Sequence, residues 1–86
     1  MDVDSQLRFL EPQRRRRLTI PNDMKGDPDA IATLALGLRP GDSIAAFSTK
    51  QEAENVAKVA KKNYQALLHP VVNRRYTAYH LVRLES

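Results

Sequence analysis

The sequence predicts a small α+β fold. The order is strand, helix, strand, helix, then one long strand or two short ones, forming a two-layer sandwich with both helices on one face of a small sheet. Three observations predict it. Residues 36–47, Leu-Gly-Leu-Arg-Pro-Gly-Asp-Ser-Ile-Ala-Ala-Phe, have the form of a helix end, a tight turn and a short buried strand. Ala53, Val56, Ala57, Ala60, Tyr64, Leu67 and Leu68 recur at three- and four-residue spacing, the mark of an amphipathic helix. Residues 76–84 are rich in aromatic and β-branched side chains, as strands are.

Residues 1–13 lack a clean period, are broken by Pro12 and read as a flexible arm; residues 14–86 form a single domain. Arg14, Arg15, Arg16 and Arg17 run directly into Leu18-Thr19-Ile20, which alternates as a short strand. In an extended segment Arg15 and Arg17 share a face with Thr19, and Arg14 and Arg16 share the other with Leu18 and Ile20. Pro21 ends this strand or confines it to a sheet edge. A charge run there either aims guanidinium groups at phosphates or keeps an edge strand from pairing with other chains.

Asp27-Pro28-Asp29 is a helix start: an aspartate cap, proline at the first helical position and an acid at the positive dipole end. The helix extends to about residue 36, with Ile31, Leu34, Ala35 and Leu38 as its apolar stripe. Gly37 is expected to stop it in the left-handed conformation. Pro40-Gly41 suits a turn in which proline presets φ and glycine supplies φ > 0. In the strand that follows, Ile44 and Ala46 are expected on one face, and Ala45 and Phe47 on the other. Apolar residues on both faces place this strand centrally. Ser48 with Gln51, or Thr49 with Glu52, then has capping-box spacing. The second helix is expected to reach about Leu67 and to be closed by His69-Pro70, with Glu54 and Lys58 as an i,i+4 pair. Beyond it, residues 71–75 and 77–84 form a hairpin, or 76–84 alone a strand.

At 86 residues the chain is one domain, and one that buries only roughly 60% of its unfolded surface. It has no cysteine, which removes disulfides and thiolate metal sites and fits a cytoplasmic location. It shows no secretory signal and no apolar run long enough for a membrane helix, so no membrane role is expected. The formal net charge is +4, which favours an anionic partner.

No catalytic constellation stands out, and the chain is expected not to be an enzyme. His69 and His80 lack metal-ligand spacing, the acids are scattered, and the glycines lie singly rather than in a phosphate-cradling loop. No cofactor or metal is expected. Three basic groups are more telling: Arg14, Arg15, Arg16 and Arg17; Lys58, Lys61 and Lys62; and Arg74, Arg75 and Arg83. Tyr76 and Tyr79 interleave with the last. Tyrosines on an exposed sheet face stack bases while neighbouring arginines hold phosphates. Period two puts these two tyrosines on opposite faces, so one of them is expected in the core. The lysines also suit the C-terminal end of their helix for structural reasons.

Arg17-Leu18-Thr19-Ile20-Pro21, followed by Leu36-Gly37-Leu38-Arg39-Pro40-Gly41-Asp42-Ser43-Ile44, resembles the AbrB/MazE-type DNA-binding half. That resemblance implies an intertwined dimer whose basic strand and loop residues contact DNA. Where that family continues with strands, this chain carries a long helix. Gly41-Asp42-Ser43-Ile44, the Ala-rich basic helix, Arg74-Arg75 and Leu81-Val82-Arg83 are similar to a group of short phage-encoded proteins with a Gly-Asp-Ser strand start and an Arg-ending terminal hairpin. That second resemblance implies a phage or mobile-element setting.

These readings converge on a small basic, nucleic-acid-binding regulatory protein that grips phosphates with arginine clusters, with DNA favoured over RNA. The alternative is a small inhibitor or adaptor that docks on a host protein through its apolar first helix and its N-terminal arm. A homodimer is compatible with either.

Overall fold

The computed structural model describes residues 16–74 and 77–85. The arm read at residues 1–13, together with Arg14, Arg15, Arg75 and Tyr76, lies outside the described residues.

The chain is a small α+β protein. In order it forms β1 (Arg17–Thr19), α1 (Pro28–Thr33), β2 (Ser43–Phe47), α2 (Lys50–Tyr64), β3 (Leu68–Asn73) and β4 (Ala78–Arg83). The sheet order is β1-β2-β4-β3. β1 runs parallel to β2, whereas β4 runs antiparallel to both β2 and β3. The C-terminal segment is thus a hairpin, and β4, the last strand in sequence, lies between β2 and β3. β2 is interior, as its apolar composition requires.

The start of α1 forms as its sequence dictates. The Asp27 carboxylate accepts from the Ala30 N–H at 3.2 Å, and Pro28 occupies the first turn. The end does not. After Thr33 the chain tightens into a 3₁₀ turn, Leu34–Gly37, and Leu38 is extended. Among the described residues the glycines at positive φ are Gly26 and Gly41, so Gly37 is not a left-handed stop. The tighter turn delivers Leu38 to the core, where it is buried, and Pro40 disfavours helix just beyond it. The next turn follows expectation: Gly41 has φ of 94°, and the Asp42 N–H donates to the Arg39 carbonyl at 2.9 Å.

β2 departs from simple alternation. Its register against β4 shifts between Ile44 and Phe47, and Ile44 and Phe47 both enter the core cluster while Ala46 is exposed. The irregularity inserts one residue between the two, so Phe47 rather than Ala46 joins the face of Ile44.

α2 is capped by Thr49, whose hydroxyl accepts from the Glu52 N–H at 3.2 Å, while the Glu52 carboxylate accepts from the Ser48 N–H at 3.3 Å. The helix stops at Tyr64, not Leu67. Gln65 takes the left-handed conformation, with φ of 55° and ψ of 33°, and the Ala66 N–H returns to the Ala60 carbonyl. Ala66 is then fully buried, and Leu68, His69 and Pro70 become strand. Pro70 therefore does not close the helix. The Leu84 N–H donates to the Leu67 carbonyl, and with Leu68 opposite Arg83 this puts the ladder bonds of β3 at odd positions. Pro70 then faces the free edge, where its missing N–H costs no bond and discourages pairing with another strand.

Both helices cover one face of the sheet. Ile44, Leu81 and Val56 are the largest fully buried side chains, packed with Ile20, Ile31, Phe47, Ala53 and Ala60. The helices are also tied at their ends, for the Tyr64 hydroxyl and the Asn63 amide both donate to the Asp29 carboxylate. The register assigns Arg17, Thr19, Ser43, His80, Val82 and Val71 to the opposite face. No described helix covers that face.

Candidate nucleic-acid interface

Apart from Lys25 and Arg39, the exposed cations fall into two regions. The first lies along the β3 side of α2. Arg74, at the end of β3, is exposed and lines a shallow groove with Lys50, Val72, Thr77, Tyr79, Ser48 and Thr49. Tyr79 lies opposite Val72 in the β3–β4 pair and opposite Phe47 in the β2–β4 pair. One side of Tyr79 packs against the core, and the residue is half-buried rather than sealed. Val72 beside it is 48% exposed. The groove thus combines an aromatic ring, an aliphatic neighbour and two cations.

Lys58 continues this region, lining a neighbouring hollow with Lys50, Glu54, His69 and Pro70. Lys61 and Lys62 are exposed further along the helix. Glu54 pairs with Lys50 at 3.7 Å, not with the expected Lys58. Of its two lysine neighbours one turn away, the carboxylate pairs with the N-terminal one. Lys58, Lys61, Lys62 and Arg74 have no ion-pair partner among the described residues.

The second region lies on the uncovered sheet face. Arg17 is exposed there, and together with Arg16 it lines a small cavity with Gly41, Ser43, Val71, His80 and Val82. Arg16 is held in place. Its guanidinium donates to the Gly37 carbonyl at 2.9 Å, and its backbone N–H donates to the Asp42 carboxylate at 2.8 Å. Asp42 is buried and also accepts from the Arg39 N–H at 3.0 Å. Burial pushes its carboxyl up. The two backbone donors, then the charges of Arg16 and Arg39, outweigh burial and hold it below the ordinary carboxylate value. The imidazole of His80 is held below its ordinary value, first by burial and then by the charge of Arg17.

The structure therefore brings Arg74 and Tyr79 together, and Arg16 and Arg17 together, on different faces. Arg83 is not presented in the same way. It is half-buried in β4, and its Nη1 is buried without a hydrogen-bond partner among the described residues. Sequence reasoning missed Lys50, Ser43 and His80 as members of these regions. Lys50 was legible as a first-turn lysine, but only the hairpin register sets Tyr79 and Arg74 beside it.

Among the described residues, no cluster of histidine and acidic side chains could hold a metal ion. No helix among them is long and apolar enough to cross a membrane. No protein-family model, curated protein or solved structure matches the chain.

Proposed function

We propose that this protein binds nucleic acid by phosphate grip, as a small regulatory protein of phage or mobile-element type, with DNA favoured over RNA. The observation that carries the reading is the groove lined by half-buried Tyr79, Val72 and exposed Arg74 and Lys50. An aromatic face with an aliphatic neighbour takes a base, and cations lining the same groove take the flanking phosphates. Lys58, Lys61 and Lys62 extend the positive surface along α2, so several phosphates are met in succession.

The reading that the chain docks on a host protein through α1 draws less support. Ile31, Ala32 and Ala35 are buried inside the fold, and Leu36, 61% exposed, is the large apolar side chain that this segment offers to a partner.

The test is fluorescence anisotropy with labelled single-stranded and duplex oligonucleotides across a salt series. Binding is expected at low salt, with log affinity falling linearly against log salt concentration. Absence of binding to either form at low salt overturns the reading.

A further inference from the structure

The cavity on the uncovered sheet face is separate from the Tyr79 groove, and its lining is of a different kind. Arg17 on β1 and Ser43 on β2 are register partners, and Ser43 is in turn the partner of Val82 on β4. His80 follows two positions earlier on β4, on the same face, opposite Val71 of β3. The cavity these residues enclose has a volume of about 240 Å³. Its lining offers the guanidinium of Arg17, the hydroxyl of Ser43 and the imidazole of His80, with Arg16, Gly41, Val71 and Val82 completing it. No carboxylate lines it among the described residues.

Charge and satisfaction both favour an anion there. The Arg17 side chain makes no hydrogen bond or ion pair with any described residue, unlike Arg16, which is anchored on Gly37. The carboxylate next to Ser43 in the chain, that of Asp42, is turned to the backbone N–H groups of Arg16 and Arg39. The Asn73 amide lies 3.4 Å from His80 Nε2. Where that amide donates, Nδ1 carries the ring proton and the imidazole is a donor even when neutral.

We propose that Arg17, Ser43 and His80 form a pocket for a single phosphate group, and that bringing the phosphate in converts His80 to its imidazolium form. A dianion or diester oxygen at this site takes a charge-assisted bond from Arg17 and a hydroxyl bond from Ser43. It also offsets the repulsion between the guanidinium and a protonated His80, so occupancy and protonation favour each other. The groups around His80 are Arg17 from β1 and Arg16 just before it, Ser43 from β2, and Val71 and Asn73 from β3, with His69 two positions before Val71. None is an acid, so nothing in the described surroundings supplies the negative charge in the phosphate's place.

The test is an NMR titration of the full chain, first with inorganic phosphate and then with a short oligonucleotide. The amides of residues 17, 43 and 80 and the ring signals of both histidines are followed from pH 5.5 to 8. Phosphate is expected to shift residues 17, 43 and 80 together and to raise the pKa of His80. Arg17→Gln is expected to weaken phosphate binding about tenfold, the worth of one charge-assisted bond. His80→Gln removes the part of the pH dependence linked to the imidazole, leaving only that of the phosphate's own second ionisation, and His69→Gln keeps both parts. Shifts confined to the α2 lysines, or a His80 pKa unmoved at saturating phosphate, overturn the proposal. An oligonucleotide that binds without moving residues 17, 43 and 80 assigns the pocket to small free phosphates. Phosphate in the pocket with no oligonucleotide binding anywhere leaves the pocket standing and overturns the nucleic-acid reading instead.

Discussion

The Asp42 carboxylate accepts a hydrogen bond from the Arg16 backbone N–H at 2.8 Å, across 26 residues of chain. Its second oxygen accepts from the Arg39 N–H, and the Ser43 N–H returns to the Arg16 carbonyl at 2.9 Å. One buried carboxylate thereby locks the entry of β1 to the turn that launches β2. It also fixes where Arg17 enters the uncovered face.

Asp42→Ala is expected to lower unfolding free energy by about 2–4 kcal/mol, because two N–H donors lose their acceptor in a place water reaches poorly. Urea denaturation measures this. A loss below about 0.5 kcal/mol would show that the latch is not made in solution.

The pH dependence of stability follows from two depressed groups. His80 has a folded-state pKa below 6.5, so the unfolded chain binds its proton more readily. Its contribution is complete above 6.5 and is lost as pH falls below that value toward the folded pKa. Asp42 lies below 3.8 in the folded state, so its contribution is complete above 3.8 and is lost as pH falls through the folded pKa. Thermal melts from pH 8 to 2.5 are expected to show two successive declines. His80→Gln should abolish the first and Asp42→Asn the second. A melt that stays flat from pH 7.5 to 5 contradicts the placement of His80.

Ile44 and Leu81 are cross-strand partners, both fully buried under the helices. Leu81→Ala is expected to cost about 2–5 kcal/mol and Ile44→Val about 1 kcal/mol, since an 86-residue protein has little slack to refill a cavity. Chemical denaturation with matched m-values checks both. A Leu81→Ala protein as stable as wild type would mean that β4 is not a central strand.

Replacing Arg14, Arg15, Arg16 and Arg17 by alanine is expected to weaken oligonucleotide binding. The salt dependence should flatten by roughly one unit of slope for each phosphate that is no longer gripped. Anisotropy across a salt series reads this out. An unchanged slope removes the arginine run from the interface.

The architecture was legible in the sequence because its signals are local. Asp27-Pro28, Pro40-Gly41 and Thr49 with Glu52 each fix a backbone event within four residues, and each is found in place. Events decided by tertiary packing were not legible in this way. Gly37 has the composition of a helix stop, but burial of Leu38 ends the helix by tightening it. His69-Pro70 has the form of an end to α2, but Gln65 turns the chain first so that Ala66 can be buried. The candidate site was less legible still. Tyr79, Arg74 and Lys50 are separated by up to 29 positions in the numbering, and only the order β1-β2-β4-β3 gathers them. His80 carries no motif of its own. Its place beside Arg17 depends on β4 inserting between β2 and β3, which no local pattern announces.

If the Tyr79 groove holds nucleic acid between Arg74 and Lys50, reversing charge at those two residues tests it most directly. The measurement is the affinity of the Arg74→Glu, Lys50→Glu double variant for a short single-stranded oligonucleotide at two salt concentrations, with far-UV circular dichroism confirming the fold. Both residues are exposed, so the fold is expected to persist. The predicted result is a loss of at least about tenfold at low salt and a salt slope reduced by about two. An affinity and slope equal to those of the wild type would contradict a nucleic-acid site in this groove.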